Sequence, residues 1–321
     1  MAAERRAERE EFEESDNVFR TNSLIIIEEM LKLSNHTPED STMLVDEILH
    51  SIFFLGGINK PSYSPEDIMS DREMLNGLRE LYPNPFLHYS SQLPERSPFS
   101  CVLDMIVRLI GQENENQIIE RLQDIIRRMS RGRGQNLISF TICVSQKTEG
   151  PASERYYGVS MSTSGRLLGK IMVAASCLSA WDRHVADAVM TYYPGKKTKK
   201  SYFDGTIQLP ESVRCQAFSL STGDEMPPCR SCGNLFGLGT DEEEKWPCGN
   251  CAEVESLSNL LKKENEVKRQ VQPTSQTWTD ENRQTAIDNV RKHLKCYLRT
   301  EGFDWDQNFY TPQRIQILYY F

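Results

Sequence analysis

The chain has 321 residues and a formal net charge of −9, with 38% hydrophobic and 26% charged residues. This composition is typical of a globular protein and excludes the low-complexity and intrinsically disordered classes. The negative balance argues against a broadly basic surface for nucleic acid, although it allows a local basic patch. The length leaves room for two domains, each with a core that needs no disulfide bonds.

The apolar segments bear on the compartment. No stretch approaches the roughly 20 apolar residues of a membrane span, and the run LIIIEEML is interrupted by Glu28 and Glu29. The charged N-terminus lacks the apolar centre of a signal peptide. We therefore expect a cytoplasmic or nuclear protein without membrane contact. In such a reducing compartment, its nine cysteines are expected to be metal ligands or buried thiols.

The first predicted elements are helical. Residues 1–16 are almost all charged or small, have no apolar face to bury, and are predicted to be a disordered tail. Residues 17–130 carry apolar positions at helical spacing, separated by short connections rich in proline and glycine. This pattern predicts a compact domain of five helices. We expect that domain to bind a protein partner, whose identity the sequence leaves open.

The period of the apolar residues changes after the predicted linker SRGRGQ at 130–135. The runs NLISFTICVSQ and RYYGVSMSTSG alternate and predict a β-hairpin. A long amphipathic helix over 170–193, further strands, two helices and a final strand, RIQILYYF, follow. The sequence therefore predicts an α+β fold, with a helical domain at 17–130 and a mixed-sheet α/β domain at 131–321.

Four cysteines form two C-x-x-C pairs, Cys229/Cys232 and Cys248/Cys251, separated by fifteen residues. Each C-x-x-C turn points two sulfurs at one ion, and a second pair completes a tetrahedron. The spacing predicts a Zn²⁺ site with all four cysteines as ligands. Such a site is closed and structural, and we expect it to serve interaction or regulation.

The residues around these pairs leave a second interpretation open. The string C-A-E at 251–253 opens a predicted helix, and the string P-C-R-S-C occupies 228–232. These strings resemble the C-A-E and P-C-x-x-C segments of the cytidine-deaminase-like superfamily, particularly its toxin-type members. The resemblance covers about residues 136–260, and the two segments occur here in the reverse of their usual order.

The resemblance implies a deaminase-like fold and a Zn²⁺ held by Cys229, Cys232 and Cys251, with one position left for water. Glu253 would then be the catalytic proton carrier in hydrolysis of the amino group of a cytosine or adenine base, nucleoside or nucleic acid. A variant that keeps the usual motif order uses His184 as the first ligand and has an acid, Asp187, three residues further on.

A basic segment, GKKTKK at 195–200, contains Lys196, Lys197, Lys199 and Lys200 and is flanked by tyrosine and phenylalanine residues. Lysines next to aromatic side chains are suited to phosphate contact and base stacking. The segment is therefore the candidate contact for nucleic acid or a nucleoside, and a solvated loop is the alternative. Taken together, the sequence predicts a zinc-binding protein with a structural site, and the alternative is a zinc-dependent deaminase.

Overall fold

The computed structural model describes residues 2–38, 40–129, 137–148, 153–163 and 166–315, with side chains from Val18 onward except that of Arg166. The predicted linker at 130–135 and most of the predicted final strand lie outside the described residues. No described helix combines the length and the apolar composition needed to cross a membrane.

The N-terminal part is helical, as predicted, but its described residues form seven helices rather than five. The helices are Ala2–His36 (α1), Thr42–Gly57 (α2), Pro65–Ile68 (α3), Arg72–Leu81 (α4), Pro83–His88 (α5), Pro98–Ile110 (α6) and Glu115–Arg128 (α7). Helix α1 runs through residues 2–16, which differs from the predicted disordered tail. The alanine, glutamate and arginine residues of that segment are strong helix formers.

The C-terminal part contains the sheet. Its elements are Thr141–Lys147 (β1), Arg155–Val159 (β2), Arg166–Ala175 (α8), Arg183–Tyr192 (α9), Val213–Ser219 (β3), Glu225–Met226 (β4), Arg230–Phe236 (α10), Ala252–Lys263 (α11), Asn265–Gln270 (α12) and Asp280–Thr300 (α13). The strand order is β2-β1-β3-β4. The α+β class is therefore confirmed.

The described sheet is antiparallel at every neighbouring pair, whereas a mixed sheet was predicted. The reason is the position of β1. Strands β2 and β3 run in the same direction, because each is antiparallel to β1, but β1 lies between them. The carboxyl ends of β2 and β3 consequently lie at the same end of the sheet, where each pairs with the first residues of β1.

The helix predicted over 170–193 is interrupted. Helix α8 passes into a π-helical turn, Ser176–Ala180, and Trp181 is extended with φ −81° and ψ 153°. Asp182 then caps α9 by accepting a hydrogen bond from the His184 amide at 2.9 Å. The Asp182 amide donates to Ser258 Oγ at 2.8 Å. This break depends on the contact of Asp182 with Ser258 of α11. The helical spacing of apolar residues in 170–193 gives no information about that contact.

The two parts of the chain share one core. Buried residues such as Phe53 and Leu122 belong to the same contiguous hydrophobic cluster as Val144 and Leu257. The division into two domains at about residue 130 stays a prediction, since its boundary lies outside the described residues.

A C-terminal strap, residues 303–315, returns to the N-terminal helices. The Leu93 amide donates to the Asn308 carbonyl at 3.2 Å, and the Tyr310 amide donates to the Leu93 carbonyl at 2.8 Å. The Tyr310 ring stacks on His50 with centroids 3.8 Å apart. Its hydroxyl donates to the buried carboxyl of Asp46. The strap therefore joins the last described residues to α2.

Candidate metal centre

Helix α11 lies directly against the sheet at β2. A Cβ atom on Gly158 would lie 2.2 Å from the Ser256 amide nitrogen and 2.7 Å from the Ala252 carbonyl oxygen, so any other residue would push the helix away. The Ser256 hydroxyl also lies 2.8 Å from that of Ser145 on β1. These contacts fix the first turn of α11, in which Cys251 is the N-cap.

The loop before α11 is tied to the carboxyl end of β2. The amide of Met161, just beyond β2, donates to the Asn250 carbonyl at 2.8 Å. The Ser231 hydroxyl donates to the Trp246 carbonyl at 2.6 Å, which attaches the other end of the loop to α10. The sheet edge and α10 thus hold the two cysteine-bearing segments side by side.

Three of the four predicted ligands converge. The sulfurs of Cys229, Cys232 and Cys251 all lie within 4.8 Å of one another, and the group could hold a metal ion. Cys229 is the N-cap of α10, and its sulfur lies 3.5 Å from that of Cys251. Cys232 is fully buried, while Cys229 and Cys251 are partly exposed. These three residues form the three-sulfur cluster, and two of them retain some exposed surface.

The thiols of the cluster hydrogen-bond to one another. Bonds from the thiols of Cys232 and Cys251 lower the pKa of Cys229 to about 2. The same interactions, with burial, raise the pKa of Cys232 well above its usual value. One thiolate is thus stabilised without a metal, and metal binding would release the remaining protons.

Cys248 lies outside the three-sulfur cluster. Its side chain is buried, and burial raises its pKa to about 12, against the opposing effect of a hydrogen bond with Ser231. The charge of Cys229 contributes to the same shift, which places the two residues in the same neighbourhood. The structure therefore brings together three of the sequence-predicted ligands and leaves the fourth beside them.

Glu253 lies in the first turn of α11 and is only 4% exposed. Burial raises its pKa to about 7, and the charge of Cys229 adds to the effect. A hydrogen bond with Cys232 opposes the shift and joins the carboxyl to the cluster. Among the described residues, no lysine or arginine pairs with this carboxyl. A buried acid with this pKa can both give and take a proton near neutral pH.

His184 and Asp187 do not take part in the three-sulfur cluster. The His184 Nδ1 atom lies 3.3 Å from Asp182 Oδ1. Asp187 is fully buried and accepts hydrogen bonds from Trp278 Nε1 at 2.8 Å and from Arg283 Nε at 2.7 Å. Both residues have structural partners, so the interpretation with His184 as a ligand finds no support in the geometry.

The four candidate lysines have different surroundings. Lys199 pairs with Asp204. The Lys200 ammonium donates to the carbonyls of Met190, at 2.6 Å, and Tyr193, at the end of α9. Lys196 and Lys197 are exposed. The segment is thus partly structural, and Lys196 lines a pocket that also includes Cys248 and Asn250 of the loop before Cys251.

No protein-family model, curated protein or solved structure matches the chain. The resemblance to the cytidine-deaminase-like superfamily therefore stays a prediction, and function has to be argued from the site. Gly158 is the positioning residue that the sequence analysis missed. A glycine within a predicted strand is a signal for close backbone approach, and here α11 makes that approach.

Proposed function

We propose that this chain is a zinc-dependent hydrolase that removes the amino group of a cytosine or adenine base. The observation that carries the proposal is the convergence of three cysteine sulfurs within 4.8 Å, with the buried Glu253 close enough to Cys229 and Cys232 for its carboxyl to interact with both. Zinc deaminases use three His or Cys ligands and a glutamate that is not a ligand. The choice of base rests on the resemblance of the two motifs.

The donor set fits zinc. Three thiolates are soft ligands that select zinc over the hard cations magnesium and calcium. Cys251 stands at the N-terminus of the 12-residue helix α11, where the helix dipole favours a thiolate. When bound, zinc supplies the Lewis acidity that brings the pKa of a coordinated water to about 7.

Glu253 carries the proton in this proposal. Its carboxylate takes a proton from the attacking water and delivers it to the leaving amine, so that one water is consumed and one ammonia is released. Burial raises the pKa of this carboxyl in the metal-free protein, and a general acid–base group works best when its pKa lies near the operating pH. The first turn of α11, held against Gly158, keeps the carboxyl next to the ligand Cys251.

A second candidate is the closed structural zinc site. The observation in its favour is Cys248, which is buried next to the cluster and feels the charge of Cys229. If this sulfur joins the other three on the ion, no position remains for water, and Glu253 is only a first-turn acid that interacts with the helix dipole.

The substitution Glu253→Gln tests the enzyme. The zinc-loaded variant should keep its metal and its fold but lose about 10²–10⁴-fold of the rate of ammonia release from cytidine, adenosine or single-stranded DNA. Glu242→Gln makes the same chemical change on an exposed acid of the loop and should leave the rate unchanged. Equal rates in Glu253→Gln and the wild type would exclude Glu253 as the proton carrier.

The substitution Cys248→Ser separates the two candidates. The three-ligand site should keep stoichiometric zinc in this variant, because Cys229, Cys232 and Cys251 suffice. A four-ligand site should lose zinc or bind it much more weakly. Metal analysis after dialysis gives the answer, and zinc loss together with no activity in the wild type would favour the structural site.

A further inference from the structure

A pocket of about 320 Å³ lies next to the loop between α10 and α11, residues 237–251. Its walls come from three places, namely α8, the turn that follows α9, and residues 247–250 of the loop itself. The lining includes Cys248 and Asn250, which flank Gly249 just before the ligand Cys251. The pocket and the three-sulfur cluster therefore share one segment of chain.

The walls of this pocket are held in place by packing. The Tyr193 hydroxyl donates to the Lys170 carbonyl at 3.1 Å, which joins the end of α9 to α8. Gly249 has φ +97°, and a Cβ atom there would lie 2.6 Å from Val173 on α8. The loop can approach α8 this closely only with glycine at that position. The pocket is thus preformed by the fold, as ligand sites usually are.

The charge of the pocket is positive. Lys170 and Lys196 line it, and none of the lining residues is acidic. Within the described part of the chain, neither lysine has an ion-pair partner, whereas the neighbouring Lys199 pairs with Asp204. The Lys170 ammonium lies 5.3 Å from the centre of the Tyr297 ring, a contact that holds the side chain without neutralising it.

We propose that this pocket, the Lys170–Lys196 pocket, binds the phosphate group of a mononucleotide. Lys170, Lys196 and Asn250 line the pocket, and two ammonium groups without an ion-pair partner among the described residues, together with an amide, are the charge and the donors that a phosphate requires. The volume is at the small end of the range for ligand sites, about 300–1,000 Å³, which suits one nucleotide rather than a long strand. The nucleotide part of this inference rests on the proposed deamination, and the anionic part rests on the pocket itself.

The experiment measures binding without turnover. Calorimetry on the zinc-loaded Glu253→Gln protein would compare cytidine 5′-monophosphate, cytidine, inorganic phosphate and a single-stranded oligonucleotide. We expect the monophosphate to bind at least about tenfold more tightly than cytidine, because hydrogen bonds to charged groups contribute roughly that much. Lys196→Gln and Lys170→Gln should each remove about tenfold of the monophosphate affinity and leave cytidine unaffected.

Matched controls keep the result interpretable. Lys263→Gln removes an exposed lysine at the end of α11 that does not line the pocket and should leave all affinities unchanged. Thermal melting of Lys170→Gln checks that loss of the Tyr297 contact has not unfolded the protein. Inorganic phosphate that binds weakly and depends on both lysines would support the pocket as a phosphate site.

Several results would overturn the proposal. Equal affinity for cytidine and its monophosphate, monophosphate affinities unchanged in both lysine variants, or tighter binding of the oligonucleotide than of the mononucleotide would each do so. The proposed function fails separately. Lysine-dependent binding of the monophosphate in a protein that releases no ammonia would refute deamination and keep the pocket. Deamination of cytidine without preference for the monophosphate would refute the phosphate pocket and keep the proposed deamination.

Discussion

Two buried acids lie in the two segments that the sequence offers for deaminase-type chemistry, and their surroundings differ. Asp187, three residues after His184, is fully buried and bonded to Arg283 and Trp278. Glu253, two residues after Cys251, is almost as buried, but its hydrogen-bonding neighbours are the Cys232 thiol and its own backbone amide. Burial raises the pKa of both carboxyls, but Trp278 and Arg283 oppose the shift at Asp187, whereas no cation among the described residues opposes it at Glu253.

Removal of the metal should have the largest effect, and it should act on the cysteine region. Because the three ligands come from α10 and from the cap of α11, metal binding is part of the folding free energy. A chelator should therefore lower the free energy of unfolding by several kcal/mol, as measured by thermal or urea unfolding with metal analysis.

Two variants check that the metal effect belongs to the cluster. Cys232→Ser should lose the metal and melt at the temperature of the chelated wild type. Cys296→Ser, which changes an exposed cysteine outside the cluster, should keep both metal and stability. If the metal-free and metal-bound proteins melt at the same temperature, the metal does not stabilise the three-sulfur cluster and this prediction is wrong.

Asp187→Asn should have the next largest effect, and it should act on stability alone. The amide cannot neutralise Arg283, so a paired charge is left without its partner, and breaking a buried pair costs about 3 kcal/mol. Urea unfolding measures this loss. Glu253→Gln should cost much less, or even stabilise the metal-free protein, since it replaces a carboxyl whose charged form is disfavoured by burial. Similar losses of unfolding free energy in Asp187→Asn and Glu253→Gln would refute the contrast between the two acids.

The smallest expected effect is the change of stability with pH, which should have opposite signs for Asp182 and Glu253. Burial raises the pKa of Asp182, but hydrogen bonds from His184 and Lys268 outweigh it and lower the pKa to about 2. Because the folded pKa lies below the usual value of 3.8, this group stabilises the fold above that pH. We expect a loss of about 1–2 kcal/mol as the pH falls toward 2.

Glu253 has a folded pKa above its usual value, so the metal-free protein binds this proton more tightly when folded. Its contribution to stability should therefore decrease as the pH rises from about 4.5 to 7. Urea unfolding of metal-free wild type, Asp182→Asn and Glu253→Gln from about pH 2 to 7 would separate the two slopes. Parallel stability curves for the three proteins would contradict the opposite signs.

The parts of the fold and of the candidate site that could be predicted are those set by local sequence patterns. The α+β class, the hairpin and the first turn of α11 follow from residue periodicity and capping, which short segments contain in full. The convergence of Cys229, Cys232 and Cys251 follows from the C-x-x-C spacing, which predicts a site with all four cysteines. The position of Cys248 does not, because it depends on Ser231 and on the path of the loop between the pairs. The break at Trp181 likewise depends on Ser258, which lies 76 residues further along the chain from Asp182.

The C-terminal strap has a consequence for protein synthesis. Asp46 accepts a hydrogen bond from Tyr310, which follows it by 264 residues. At about 5–20 residues per second, a ribosome needs roughly 13–50 s to add that stretch. During this interval the helices emerge with a buried acid that lacks its partner. A nascent chain can complete this part of its interior only after Tyr310 has been synthesised, so the packing around Asp46 stays incomplete throughout this interval.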